Sequence, residues 1–446
     1  MFKKILVANR GEIALRVIEA CREMGIRTVA VFSEADRNSL HVRLADEAYC
    51  IGPAPARQSY LNIAAIMSTA EIAHAEAIHP GYGFLAEDPH FVEVCEESKV
   101  VFVGPRHETM IQSGKKLECK KAVSAAGVPV VPGSGALKTE EELLSEARKL
   151  GFPLIFKASA GGGGRGMRVV QNEPELLGKF HAVKREAEAA FGDPTVFLEK
   201  YIPVARHVEV QILADMHGHV VHWGERECSI QRRYQKLIEE SSAPALSEAM
   251  REAIWAAAVK AAEVLGYQNA GTVEFLVDES NFYMIEINAR IQVEHPVSEL
   301  RVGKNLIQEQ IRVAAGEQLG YAQKDIILKG HAIECRLNAE DPSKNFAPST
   351  GRIEIKSLPG GNGVRFDSHI FSGMDVTPFY DSLLAKLVVH AEDRPTAIAK
   401  MGNALRRFQI EGIRTTAPLC FEILQHPDFI SGNFNTRFLE KNLPAG

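Results

Sequence analysis

Residues 271–297, GTVEFLVDESNFYMIEINARIQVEHPV, limit what this chain can fold into more than any other stretch. From Glu286 onward every second residue carries a functional group: Glu286, Asn288, Arg290, Gln292 and Glu294. Ile285, Ile287, Ala289, Ile291 and Val293 alternate with them. Strand side chains alternate between faces, so an extended chain sets the polar five on one face and the apolar five on the other. The apolar face must be covered by other elements. The polar face is either a solvated charged surface or the wall of a site.

Glu274 lies on the preceding strand. An odd loop of about five residues sets it opposite Glu286, although alternation alone does not fix that register. Two glutamates and Asn288, with only partial positive compensation, repel one another unless a divalent cation lies between them. Carboxylate and amide oxygens suit Mg²⁺ or Mn²⁺. A second alternation repeats the pattern, with His207, Glu209 and Gln211 between Val208, Val210 and Ile212. Residues 231–236, QRRYQK, add basic groups nearby. His207 is open to a structural or a functional role.

Residues 160–167 read AGGGGRGM, between predicted strands at 154–158 and 167–170. Gly161, Gly163 and Gly166 match a dinucleotide fingerprint formally, but that fingerprint must open a helix, and here a strand follows. A Walker A loop fails too, because Met167 stands where Lys-Ser/Thr is needed. What remains is a glycine-rich hairpin whose backbone N–H groups can lie over phosphates, or else a flexible surface hairpin. Lys157, just before the loop, suits phosphate neutralisation in the first case and a solvated face in the second.

The first hundred residues alternate strand and helix. Strands are predicted at 4–8, 28–32, 77–79 and 100–103, with Ile13, Val17, Cys21 and Met24 at helical spacing between the first two. This implies a doubly wound parallel sheet with ligands at its carboxyl ends. Beyond residue 200 longer strands at 207–214, 219–225, 272–277 and 282–288 suggest an antiparallel sheet, interrupted by a helix at 248–265. A third, mainly antiparallel unit is predicted from about 330, with strands at 332–338 and 351–356. The fold class is therefore α/β (α+β overall), in three units: 1–114, 115–329 with a lid at about 131–203, and 330–446.

A net charge of −6 over 446 residues argues against a general nucleic-acid or membrane-surface binder. Seven scattered cysteines without a CxxC pair indicate neither a disulfide framework nor a zinc site. With no signal peptide and no apolar run near the roughly 20 residues that span a bilayer, a cytoplasmic protein is expected.

With these residues in hand, the chain resembles the biotin carboxylase branch of the ATP-grasp superfamily from about residue 1 to 440. The resemblance is carried by ANRGEIA (8–14), HPGYGFLAE (79–87), KASAGGGGRGM (157–167), EKY (199–201), RHVEVQ (206–211), QRRYQK (231–236), GTVEF (271–275), EINARIQVEHPVSE (286–299) and ECRLNAEDP (334–342). It implies an ATP-grasp fold with a mobile glycine lid. It also implies ATP and Mg²⁺ (or Mn²⁺) as cofactors, and bicarbonate and carrier-borne biotin as substrates.

By position, the resemblance makes Lys116, Lys157, His207, Gln231 and Tyr234 ATP contacts, with Gly163 and Gly164 over the phosphates. Glu199, Lys200, Tyr201 and Ile202 form the adenine hinge. Glu274 and Glu286 bridge the metal, assisted by Asn288. Lys236, Arg290, Gln292 and Val293 form the bicarbonate pocket, and Glu294 is the base. Arg336 stabilises the biotin enolate, and Tyr82 lies beside the biotin ring. Lys236, Arg290, Glu294 and Arg336 are thus the expected catalytic set.

Three positions depart from the family pattern: Tyr234 where His is usual, Ala160 in the glycine run, and Ala289 where Thr or Pro is common. The implied role is the first half-reaction of acetyl-CoA carboxylase, in fatty acid synthesis. The biotin carboxylase component of a pyruvate or propionyl-CoA carboxylase, or another carboxylate–amine ligase, is the alternative. Without a biotin-attachment motif or carboxyltransferase domain before Gly446, a separate biotin carboxyl carrier protein and carboxyltransferase subunits are expected partners. A homodimer is expected by resemblance alone.

Overall fold

The computed structural model describes residues 1–159 and 166–442. Strands β1 (Lys4–Val7), β2 (Arg27–Ser33), β3 (Glu47–Gly52), β4 (Ala77–His79) and β5 (Val101–Phe102) form a parallel sheet in the order β3-β2-β1-β4-β5. The helix Gly11–Glu23 buries Ile13, Val17 and Cys21, as the spacing predicts. Strand order reverses between β1 and β4, so the loops leaving their carboxyl ends part there and open a crevice. Asn9 ties these two loops together, its Nδ2 donating to Pro80 O (2.7 Å) and Tyr82 O (2.8 Å). Gly81 adopts φ +62°, and a Cβ there would meet Asn9 and Ile13 at 3.0 Å. Glycine is needed here for both reasons.

The unit expected to serve as a lid is a three-stranded antiparallel sheet of β6 (Leu154–Ala158), β7 (Arg168–Val170) and β8 (Val196–Lys200), in the order β7-β6-β8. It has a core of its own, in which Phe156, Val170 and Leu198 pack against Phe180 and Val183 of the helix Leu176–Phe191. Leu154 pairs with Val170, so β6 and β7 run antiparallel; the glycine run between them, residues 160–165, lies outside the described residues.

The largest sheet has eight strands. Strands β9 (Arg206–Ala214), β10 (Val220–Arg232), β11 (Gln235–Ser241), β12 (Asn269–Val277), β13 (Phe282–Asn288) and β14 (His331–Asn338) are joined by Val364–Ser368 and Leu383–Ala391. The order begins β13-β12-β9-β10-β11-β14 and continues through Leu383–Ala391 to Val364–Ser368, all antiparallel. One face packs Val208, Val210, Val273 and Phe275 against Ile254, Ala258 and Ala261 of the helix Glu248–Val264. The opposite face is polar. The third predicted unit thus contributes three strands to the same sheet, because β11 pairs directly with β14.

Two expectations for residues 282–294 need correction. The turn between β12 and β13 holds four residues, 278–281, giving Val277↔Phe282 and Phe275↔Met284. Continued regularly, that register sets Glu274 against Ile285. A bulge at Ile285 absorbs one residue and brings Glu274 opposite Glu286. The facing pair is as expected, but a bulge and not an odd loop produces it. Met284 and Ile287 are consequently the buried pair, while Ile285 joins Glu286 on the open side. The second correction is that β13 ends at Asn288. Residues 289–294 turn, and Glu294 stands immediately before the helix His295–Val302. Asn288, Arg290 and Gln292 still converge, because the turn curls around the cleft.

Candidate active site

The polar face of the large sheet, the underside of the lid and the crevice of the parallel sheet enclose one cleft of about 1960 Å³. Tyr82, Lys116, Lys157, Glu199, Lys200, Tyr201, Ile202, His207, Gln231, Tyr234, Lys236, Glu274, Glu286, Asn288, Arg290, Gln292, Val293 and Arg336 all line it. Glu294 lies directly behind the wall, fully buried. Gly163 and Gly164 fall outside the described residues.

Lys236 of β11 is the hub. Its Nζ lies 2.5 Å from Glu209 Oε2, 3.1 Å from Glu274 Oε1 and 2.6 Å from Glu294 Oε1. Three carboxylates outweigh the burial that disfavours the ammonium and hold its pKa well above the usual lysine range. Burial would raise Glu294, but Lys236, Arg336 and Arg226 outweigh it and hold this carboxyl well below the usual range. Those cations keep Glu294 ionised and lower its affinity for a proton, so it becomes a stronger base only when a ligand draws Lys236 or Arg336 away. Arg336, carried in from β14, donates from Nε to Glu239 Oε1 (2.6 Å) and from Nη2 to Glu294 Oε2 (2.9 Å).

The other end of the cleft is lysine-rich. Lys116 Nζ pairs with Glu286 Oε2 at 2.7 Å, and Lys157 Nζ with Glu199 Oε2 at 2.7 Å. Lys120, one helical turn beyond Lys116, also pairs with Glu199. Burial and the Lys116 charge push Lys157 down to about 8. Crowded, largely buried ammonium groups disfavour one another, and an anionic ligand relieves that. At the back, the Lys200 N–H donates to Pro132 O (2.8 Å) and the Tyr201 N–H to Pro153 O (3.1 Å), fixing the path of residues 199–202. Tyr234 stands half exposed at the tip of the β10–β11 hairpin, where it and Arg233 have positive φ.

Arg290 reaches Glu87 Oε2 (2.7 Å) and Gln292 Oε1 (2.9 Å), and Gln292 donates to Glu274 Oε1 (3.3 Å). His207 Nε2 is 3.3 Å from Glu274 Oε2. The donor set fits a hard divalent cation: Glu274 and Glu286 face each other across the ladder, with Asn288 one step along. The Asn288 amide oxygen accepts from Arg290 Nη2 (3.4 Å), and its nitrogen is buried without a partner among the described residues.

Several working groups were missed in the sequence. Arg226 is fully buried and bonds Glu209, Gln211, Thr272 and Ser298 at 2.5–3.2 Å, locking the polar face together. Glu87 anchors Arg290, and Glu239 anchors Arg336. Lys120 was detectable by its four-residue spacing from Lys116. The other three depend on contacts distant in sequence, for which no local pattern exists.

Three family models match. "Biotin carboxylase, N-terminal domain" covers residues 1–110, "Carbamoyl-phosphate synthase L chain, ATP binding domain" 115–322, and "Biotin carboxylase C-terminal domain" 334–441. The chain is 54% identical to Biotin carboxylase 1 of Bacillus subtilis, over 99% of this chain and 98% of that one. It is 52% identical to a pyruvate carboxylase subunit of Methanothermobacter thermautotrophicus, over 99% and 90%. Its structure resembles the biotin carboxylase–β,γ-ATP complex of Campylobacter jejuni at TM-score 0.97 and 49% identity, covering 99% of each chain. A biotin carboxylase domain dimer of Hydrogenobacter thermophilus 2-oxoglutarate carboxylase, holding MgADP, ADP and bicarbonate, matches at TM-score 0.95 and 50% identity, covering 99% and 98%.

Proposed function

The chain belongs to the biotin carboxylase family, ligases that form a carbon–nitrogen bond, and we propose that it carboxylates biotin on a separate carrier protein using bicarbonate and MgATP. One observation carries the reading: Arg336, from the C-terminal unit, and Lys236, from the ATP-grasp sheet, clamp the same carboxylate, Glu294. That contact joins a phosphate-binding end to an enolate-stabilising end in one cleft.

Lys116, Lys157 and His207 hold the nucleotide phosphates. Residues 199–202 with Ile285 and Leu276 form the adenine wall, and Tyr234 replaces the usual histidine at its rim. Glu274, Glu286 and Asn288 hold Mg²⁺, which when bound neutralises charge on the transferring phosphoryl group. Lys236, Arg290, Gln292 and Val293 orient bicarbonate. Glu294 takes the bicarbonate proton as an oxygen attacks the γ-phosphorus, ADP leaves and carboxyphosphate forms. Carboxyphosphate splits into CO₂ and phosphate, and the phosphate removes the biotin N1 proton. Arg336 stabilises the resulting enolate, with Tyr82 beside the ring, and N1 adds to CO₂. The lid excludes water that would otherwise intercept carboxyphosphate.

Units 1–114, 115–329 (lid 131–203) and 330–446 divide this work between them. A cytoplasmic homodimer partnered by a carrier and carboxyltransferase subunits fits the reading. Acetyl-CoA, in fatty acid synthesis, is the favoured final acceptor. The comparable similarity to a pyruvate carboxylase subunit favours a second reading in which the carboxyltransferase partner, not this cleft, selects the acceptor. The test is bicarbonate-dependent ADP release with free biotin added. Biotin should raise the rate in the parent, and Arg336→Ala should remove that rise. Turnover that requires an amine and ignores biotin overturns the proposal.

A further inference from the structure

Behind the cleft wall, Glu239 of β11 and Glu334 of β14 face each other directly across the ladder. Both are fully buried. Like charges opposite each other in a sheet repel, and burial removes the water that would screen them. Only one of the four carboxyl oxygens has a partner: Glu239 Oε1 accepts from Arg336. Glu239 Oε2 and both oxygens of Glu334 have none among the described residues. Such a pair cannot sit in a dry interior as two bare anions. A proton on one carboxyl converts acceptor–acceptor repulsion into a donor–acceptor bond.

We infer that Glu239 and Glu334 hold one proton between them, on the Glu334 side, and that this pair positions Arg336 for biotin. The inference rests on the active-site reading above. With Glu334 neutral, its O–H is free to donate to Glu239 Oε2, and Glu239 Oε1 remains for the guanidinium. Arg336 then faces one negative charge from Glu239 and one from Glu294, so neither side captures it. Loss of the shared proton puts a second negative charge on the Glu239 side and draws the guanidinium away from the cleft.

The surroundings agree. Burial pushes Glu239 up to about 7 even beside Arg336, and burial with the Glu239 charge pushes Glu334 well above the usual carboxyl range. The other charged groups acting on the pair are Lys236 and Glu294 from the cleft side and Lys386 from the neighbouring strand Leu383–Ala391. Lys386 is itself engaged by Glu12 Oε2 at 3.1 Å and by Asp367 at 3.9 Å. It lies opposite Arg336 in the ladder, and its charge offsets only part of the burial that raises Glu334.

Infrared difference spectra of parent minus Glu334→Gln at pH 7 should contain the carbonyl stretch of a buried protonated carboxyl. Its absence overturns the inference whatever the activity. In kinetics, the biotin-dependent kcat of the parent should decline on the alkaline side, and Glu334→Gln should abolish that decline. Glu239→Gln should lower biotin-dependent turnover about tenfold more than biotin-independent ADP release, because it releases Arg336 alone. An alkaline limb unchanged in Glu334→Gln, or equal loss of both rates in Glu239→Gln, overturns the positioning role. A parent that ignores biotin yet keeps the carboxyl band sinks the active-site reading and leaves the proton pair standing.

Discussion

Lys236 and Arg290 are both cationic residues of the same cleft, yet removing them should have different consequences. Lys236 holds three carboxylates, of which Glu209 and Glu294 are fully buried. Lys236→Met leaves Glu209 to Arg226 and Glu294 to Arg336 but takes away the cation the three crowded carboxylates share, and should cost about 3 kcal/mol of stability, the low end for breaking a buried pair. Arg290 pairs with Glu87, whose side chain is 41% exposed and can return to water. Arg290→Ala should therefore cost less than about 1 kcal/mol. Urea unfolding of both variants checks this, and equal losses would refute it. For the same reason, lost turnover in Lys236→Met should be read only after folding is measured. The candidate site was legible in the sequence where polar groups alternate on a strand, as at His207–Gln211 and Glu286–Asn288. It was illegible at Arg226 and Glu239, whose partners lie tens of residues away, so that only the fold brings them together.

Among the elements, β13 shows where alternation misleads. Period-two patterning placed Ile285 with Ile287, but both Met284 and Ile287 are in the core, three residues apart. A bulge cannot be read from residue types, since it arises from the competition between turn length and burial. Its extra residue lines the cleft. Deleting Ile285 should give a regular ladder that still faces Glu274 with Glu286, while removing part of the apolar wall. The expected outcome is a folded protein whose ATP affinity, measured by calorimetry, falls about tenfold, the value of roughly one half-buried aliphatic side chain. An unfolded deletion variant would contradict this. The lid, with a core of its own, should respond separately. Binding of a non-hydrolysable ATP analogue should slow amide exchange in β6 and β7 more than in β9 or β12, because the larger core is already protected without ligand.

For the molecule as a whole, acid tolerance should be set by buried imidazoles remote from the cleft's lysines. Burial pushes His41 down to about 4, and His79 and His369 down to about 3. Each is neutral when folded and titrates near 6.5 when unfolded. Their contribution to stability is therefore complete above about 6.5 and is lost as pH falls toward 4, where the unfolded chain binds the extra protons. Tm by calorimetry should drop steadily across that interval, and a flat profile would refute the account. The overall class, its parallel and antiparallel halves and most strands were legible, because strand and helix periods differ. The joining of the second and third units was not, because the partner of an edge strand leaves no mark in either sequence. Since β11 pairs with β14, a recombinant joined near residue 330 is no clean graft. It brings Glu239 and Ile238 from one parent against Glu334 and Cys335 from another, so hybrids should survive only when both sides of that seam are inherited together.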